Sequence, residues 1–160
     1  MSVIAYVGLG ANLGDAAESV SAAIEALGTL PQTRLIGRSS LYRSAPVGYL
    51  DQPDFVNAVA AVDTSLSAHA LLDGLLDIEA KFGRERSFRN APRTLDMDVL
   101  LYDDASLHDE RLTIPHPRMV NRAFVLVPLA ELAPMLAMPD GRTVAALAAA
   151  IDRTGLSIIE

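Results

Sequence analysis

The sequence predicts an α+β sandwich, its elements ordered β-α-β-β-α-β, with a mainly antiparallel sheet and helices on both faces. Three observations predict it. Short apolar runs of strand length alternate with stretches of helical periodicity; two extended segments follow one another with no helix between them; and Gly and Pro clusters punctuate the joins. The chain has 160 residues, 51% of them hydrophobic, with mean hydropathy +0.27. One domain spanning residues 1–160 therefore has the material for a sizeable core.

Residues 3–9 form a nearly continuous apolar run followed by Gly10, Asn12 and Gly14, with Gly8 inside it. That suits a buried strand leaving the core through a turn. Asp15 is a candidate N-cap, after which Val20, Ala23, Ile24 and Leu27 recur at helical spacing until Gly28 and Pro31. Residues 34–43 read as a second extended segment, and residues 44–53, holding Pro46, Gly48 and Pro53, as a turn-rich connection. Residues 54–62 alternate, with Phe55, Asn57, Val59 and Ala61 on one face and Val56, Ala58, Ala60 and Val62 on the other. Ser67 caps a helix whose stripe is Leu71, Leu72, Leu75, Leu76, Ile78 and Phe82, ending at Gly83. An arginine-rich loop, residues 84–93, leads into a strand at residues 95–102 and a short extended piece at residues 112–114. The remainder reads as helical, with Pro128 ending or kinking one helix and Thr143 capping another over residues 144–151. This order is the split βαβ, ferredoxin-like signature. A doubly wound parallel sheet is disfavoured, because parallel neighbours need a crossover that the two adjacent strands lack.

Thirteen basic against twenty acidic residues leave a net charge of −7, and a pI near 4.9 argues against gripping nucleic acid or anionic lipid with the whole surface. Any anion site must be local. The absence of cysteine excludes disulfides and thiolate catalysis and fits a reducing cytoplasm. The most apolar run, residues 123–138, is shorter than a membrane span and carries Glu131, Pro128 and Pro134. The amino terminus lacks the basic region of a signal peptide.

The segment from Arg93 to Tyr102 reads Arg-Thr-Leu-Asp-Met-Asp-Val-Leu-Leu-Tyr. In an extended chain Asp96 and Asp98 share a face, while Leu95, Met97, Val99 and Leu101 point into the core. Two carboxylates about 7 Å apart by the rise of a strand repel unless something positive lies between them. A solvated pair at a sheet edge is one reading. Hard oxygen ligands without neighbouring histidine or cysteine otherwise favour Mg²⁺, which takes its remaining ligands from nucleotide phosphates and water. The preceding loop favours the second reading. Arg84, Arg86, Arg89 and Arg93 lie within ten residues holding one acid, Glu85, in a chain whose only lysine is Lys81. Arginine's planar fork suits phosphate, and cations beside a metal are what phosphoryl chemistry on a nucleotide needs.

His116 stands between Pro115 and Pro117 with Arg111, Arg118 and Arg122 nearby, a rigid setting for phosphate contact; His69 and His108 read as surface residues. Gly8, Gly10 and Gly14 do not have dinucleotide-fingerprint spacing, and no Walker A loop occurs. Phe55 and Asn57, sharing a strand face, offer a stacking plane and an amide edge suited to a flat heterocycle.

Together these segments closely resemble the 6-hydroxymethyl-7,8-dihydropterin pyrophosphokinase family over essentially the whole chain. The resemblance rests on Gly8-Leu9-Gly10-Ala11-Asn12-Leu13-Gly14-Asp15, Ser39-Ser40-Leu41-Tyr42-Arg43-Ser44, Asp51-Gln52-Pro53-Asp54-Phe55-Val56-Asn57, residues 92–98 and Leu112-Thr113-Ile114-Pro115-His116-Pro117. It implies the ferredoxin-like fold and transfer of diphosphate from ATP to a pterin alcohol. It implies that Asp96 and Asp98 hold two Mg²⁺ ions. Arg84 and Arg93 are implied to meet the transferring phosphates, with Glu79, Arg86, Val99, Arg111, Leu112, Thr113, His116 and Arg122 completing the ATP site. The pterin is implied to lie between Phe55 and Phe124, its edge read by Asn57 and the backbone around Ser44, Ala45 and Val47. Flexible loops are implied at residues 44–51 and 84–92. The sequence departs from familiar members at Asn90, where the family often has tryptophan, and at Pro117, where an aromatic can stand. The expected partners are small-molecule substrates, without nucleic acid or membrane, and the expected state is a cytoplasmic monomer. Two rivals are a different ATP-dependent kinase on this scaffold and a non-catalytic ligand-binding module of the same fold.

Overall fold

The computed structural model describes residues 1–45, 53–82 and 95–159. Strand β1 (Val3–Ala11) is central, followed by α1 (Ala16–Leu27), β2 (Thr33–Arg38), β3 (Tyr42–Ser44), β4 (Phe55–Thr64), α2 (Ala68–Lys81) and β5 (Asp96–Tyr102). A small hairpin, β6 (Leu107–His108) with β7 (Thr113–Ile114), precedes α3 (Ala123–Leu132), α4 (Val144–Ala150) and β8 (Leu156–Ile158). The main sheet runs β5-β1-β4-β3-β8, with β2 also on the outer edge of β4, and its pairings are antiparallel. Thus β1 lies between β4 and β5, so each helical crossover joins strands that are not neighbours. The described residues form a mixed α/β structure with an antiparallel sheet and four α-helices.

Two apolar clusters sandwich the sheet. On one face Val20, Ile24 and Leu27 of α1 and Leu71, Leu75 and Ile78 of α2 pack against Val7, Leu9, Ala58 and Met97. On the other, Val125, Leu126 and Leu129 of α3 and Val144 and Leu147 of α4 meet Val59 and Leu100. Helix starts follow the side-chain caps read from the sequence. Asp15 accepts from the Glu18 N–H, Ser67 from Ala70 and Thr143 from Ala146, each filling one orphan donor of a first turn.

Five expectations are corrected. Strand β1 does not turn at its glycines but continues through Gly8 and Gly10 to Ala11. The extended segment at residues 34–43 is two strands, both on β4, interrupted at residues 39–41. Leu101 does not share the face of Met97 and Val99. Pairing shifts between Tyr6 and Val7 of β1, which face Leu101 and Val99, so Leu100 is an extra residue, and such a bulge reverses the alternation beyond it. Leu101 accordingly packs with α3. Of the two expectations at Pro128, ending or kinking, the ending is excluded, because α3 runs through it from Ala123 to Leu132. Finally, the C-terminal region is not wholly helical, because β8 returns to pair with β3.

Candidate active site

The site is a row of side chains across the sheet face that α3 covers. Gly10 of β1 pairs with Asp96 of β5 on one side and Asn57 of β4 on the other; Gly8 likewise lies between Asp98 and Val59. The two carboxylates and the carboxamide are thus two strand spacings apart, roughly 10 Å, across a strip of backbone without side chains. A glycine inside a strand weakens it unless something must approach the backbone closely. At Gly10 the reason is visible: an added Cβ would lie 2.9 Å from Asn57 Oδ1. These glycines are the residues that sequence reasoning assigned to a turn. Their signal was a Gly-x-Gly spacing that repeats the two-residue period of Asp-x-Asp.

Asp96, Asp98, Gly8, Gly10, Ser44, Ala45, Phe55, Asn57, Arg118, Arg122 and Phe124 all line one cleft of about 280 Å³. Asn57 is 5% exposed and donates from Nδ2 to Ser44 Oγ at 2.6 Å, a bond that fixes the plane of the amide. The Arg122 guanidinium lies over the Phe124 ring at 5.4 Å, within cation–π range, so cation and aromatic wall arrive together. Arg118 is an addition to the cleft; the sequence placed it only near His116.

His116 follows β7 and is half-buried, its backbone N–H donating to the Leu100 carbonyl of the β5 bulge at 2.9 Å. Burial holds its imidazole below the usual histidine range, with Arg122 and Arg118 pushing the same way and Asp96 opposing them. Nδ1 accepts from the Arg118 N–H at 3.2 Å. That bond assigns the neutral tautomer with its proton on Nε2, ready to donate.

The remaining expected residues lie elsewhere. Glu79 is buried on α2, 3% exposed, where it accepts from the Met97 N–H at 2.6 Å and grips β5 between its two aspartates from behind. Val99 faces the same rear core. Arg111, Leu112 and Thr113 belong to the β6–β7 hairpin: Arg111 pairs with Asp73, Leu112 is buried in the core, and Thr113 Oγ1 meets His108 Nδ1 at 3.3 Å. His69, read as a surface residue, docks that hairpin through Asp109 at 2.8 Å. Val47, Arg84, Arg86 and Arg93, with Arg89, Asn90 and most of both loops, lie outside the described residues.

The donor set can be tested against a metal. Among the described residues no three His, Cys, Asp or Glu side chains gather as a metal cage. Two half-buried carboxylates side by side, open to the cleft, instead fit a hard dication that draws its other ligands from water and phosphate. Zinc would require more protein ligands.

A family model described as 7,8-dihydro-6-hydroxymethylpterin-pyrophosphokinase matches residues 6–134. The chain belongs to this family. It is 51% identical over 151 residues to the 2-amino-4-hydroxy-6-hydroxymethyldihydropteridine pyrophosphokinase of Pseudomonas aeruginosa, covering 94% of this chain and 93% of that one. The enzyme of the same name from Methylorubrum extorquens is 47% identical over 156 residues, covering 98% of each chain. Among solved structures, a Plasmodium falciparum HPPK-DHPS variant with pterin and p-hydroxybenzoate superposes with a TM-score of 0.74 at 15% identity. That match covers 93% of this chain but only 43% of the longer one, and at such low identity it speaks to the fold alone.

Proposed function

We propose that this cleft transfers diphosphate from MgATP to the hydroxymethyl group of 6-hydroxymethyl-7,8-dihydropterin, releasing AMP, as a step of folate biosynthesis. The observation that carries the reading is the row Asp96, Gly10, Asn57, which sets a phosphate-side pair of carboxylates opposite a ring-reading amide across a bare strand. Phe55 and Phe124 flank the heterocycle. Asn57, held by Ser44, presents its amide to the ring edge, and the backbone at Ser44, Ala45 and Val47 completes that edge.

The acceptor oxygen forms a bond to the β-phosphorus of ATP while the bond from that phosphorus to the oxygen bridging the α- and β-phosphates breaks; AMP leaves, and the hydroxyl proton passes to solvent. Asp96 and Asp98 would hold two Mg²⁺ ions, whose contribution is to neutralise phosphate charge and lower the pKa of a bound hydroxyl. Arg84 and Arg93 meet the transferring phosphates, and Arg122 brings a further cation to the cleft wall, where charge spreads in the transition state. His116, neutral, donates from Nε2 to a phosphate oxygen. Glu79, Arg86, Val99, Arg111, Leu112 and Thr113 complete the nucleotide side, Glu79 by holding β5 in place. Finer expectations belong to the same reading: the strand order is that of the ferredoxin-like class, residues 1–160 act as one domain, and the enzyme works as a cytoplasmic monomer.

Chromatography of a reaction containing ATP, Mg²⁺ and the dihydropterin tests this reading. AMP and pterin diphosphate in equal amounts are expected. ADP as the first nucleotide product, or the absence of pterin diphosphate, would contradict it.

A further inference from the structure

Strand β3 and helix α3 form two walls of the cleft and are bonded to each other beyond it. At the cleft, Ser44 and Ala45 on and after β3 stand with Phe124 in the first turn of α3. Seven residues along α3, on the same helical stripe, Glu131 reaches back to β3 and the segment before it. One carboxylate oxygen accepts from the Ser40 N–H and from Ser40 Oγ, each at 3.0 Å; the other accepts from Tyr42 O–H. Tyr42 and Ser44 are alternate residues of β3, so they share a face, and both are only 7% exposed. One strand face thus carries Tyr42, bonded to Glu131, at one end and Ser44, which lines the cleft with Phe124, at the other.

Strand pairing to β4 and β8 and the apolar face of α3 hold each wall to the sheet, while the clamp sets one wall relative to the other. β3 is three residues long and is cut off from β2 by the break at residues 39–41, where Ser39 stitches onto β4 through the Val59 N–H and carbonyl at 2.9 and 2.8 Å. Helix α3 has no side-chain cap at its N-terminus and contains Pro128, which deprives the Phe124 carbonyl of its helical donor. The end of α3 that carries the cleft residues lacks a side-chain cap, and the three-donor contact lies at the other end.

We propose that Tyr42 and Glu131 are positioning residues for the acceptor, a clamp that sets the spacing of Phe124 from Ser44 and so the fit of the heterocycle without touching it. Burial and the adjacent Glu131 push the Tyr42 phenol up to about 12, so it donates across the whole working range of pH. The clamp acts mainly on the acceptor side, through Phe124; Arg122, at the start of the same helix and over the Phe124 ring, carries a smaller effect to the phosphate side. Asp96, Asp98 and His116 are held by β1, Glu79 and the β5 bulge, elements that it does not reach. The inference rests on the acceptor reading of the cleft.

Steady-state kinetics of Tyr42→Phe and Glu131→Ala test it, with Arg142→Ala, at an exposed Asp140 pair, as control. Both clamp variants are expected to raise KM for the dihydropterin roughly fivefold, the scale of one net hydrogen bond. KM for MgATP should rise by a clearly smaller factor, through Arg122, and kcat should change less than the dihydropterin KM. Glu131→Gln, which keeps an acceptor, should recover part of the loss. An unchanged dihydropterin KM, or equal rises in both KM values, would overturn the clamp while leaving the acceptor reading standing. Failure of the wild-type chain to bind dihydropterin would overturn both.

Discussion

At Gly10 the difference between a hydrogen and a methyl group decides whether Asn57 can keep its place. The amide is buried and bonded to Ser44, so it cannot swing aside cheaply when a Cβ arrives 2.9 Å from Oδ1. Gly10→Ala is therefore expected to raise the dihydropterin KM at least tenfold while costing roughly 1 kcal/mol of stability, the scale of mild overpacking; kinetics and urea unfolding read the two effects separately. Tyr42 yields a prediction about alkaline pH. Its proton is bound more tightly in the folded chain, with a pKa raised to about 12, than in the unfolded chain, where tyrosine titrates near 10. The stabilisation is complete below about pH 10 and is lost as pH rises toward 12. Wild type should lose more stability over that interval than Tyr42→Phe, as measured by urea midpoints; parallel losses would contradict the assignment. At this scale the sequence was most legible. Asp96, Asp98, Phe55 and Asn57 were readable because a two-residue period is a local property, and the structure puts all four in one cleft. Leu101 was not, because its facing depends on a bulge created by the register of β1 against β5.

Among the elements, β5 shows how a helix behind the sheet prepares the face in front. The Met97 N–H lies between the two aspartates, and its acceptor is the buried carboxylate of Glu79. Glu79→Ala leaves that N–H without this acceptor and opens a cavity, and is expected to cost about 2 kcal/mol. The urea midpoint should fall at constant m-value, with reduced turnover in the fraction that stays folded; wild-type stability would show that the bond contributes nothing. Caps at Asp15, Ser67 and Thr143 could be read from sequence because each bonds within three residues. Strand β8 could not. It is three residues long and its partner β3 lies more than a hundred residues earlier, so no local period announces it. Pro128 left two local readings open, ending or kinking, and the choice against an ending came from the packing of α3 against the sheet and α4, which no local rule contains.

Over the whole molecule, a net charge of −7 coexists with a cleft that sets Arg118 and Arg122 beside Asp96 and Asp98, so cations are gathered there against the sign of the chain as a whole. The antiparallel strand order brings about that placement, since it puts β1 between the carboxylate strand and the amide strand. Ligand linkage follows. MgATP at a hundredfold excess over its Kd should stabilise the folded chain by about 2.7 kcal/mol. That corresponds to a rise in Tm of roughly 5–10 °C for a chain of this size, and chelating the Mg²⁺ should abolish it; a rise that survives chelation would separate nucleotide binding from the metal. The most direct test is turnover of Asp96→Ala and Asp98→Ala, with circular dichroism to verify the fold. Either change should cut kcat/KM at least a thousandfold while leaving the spectrum that of wild type, and a folded variant that still turns over near the wild-type rate would contradict the account.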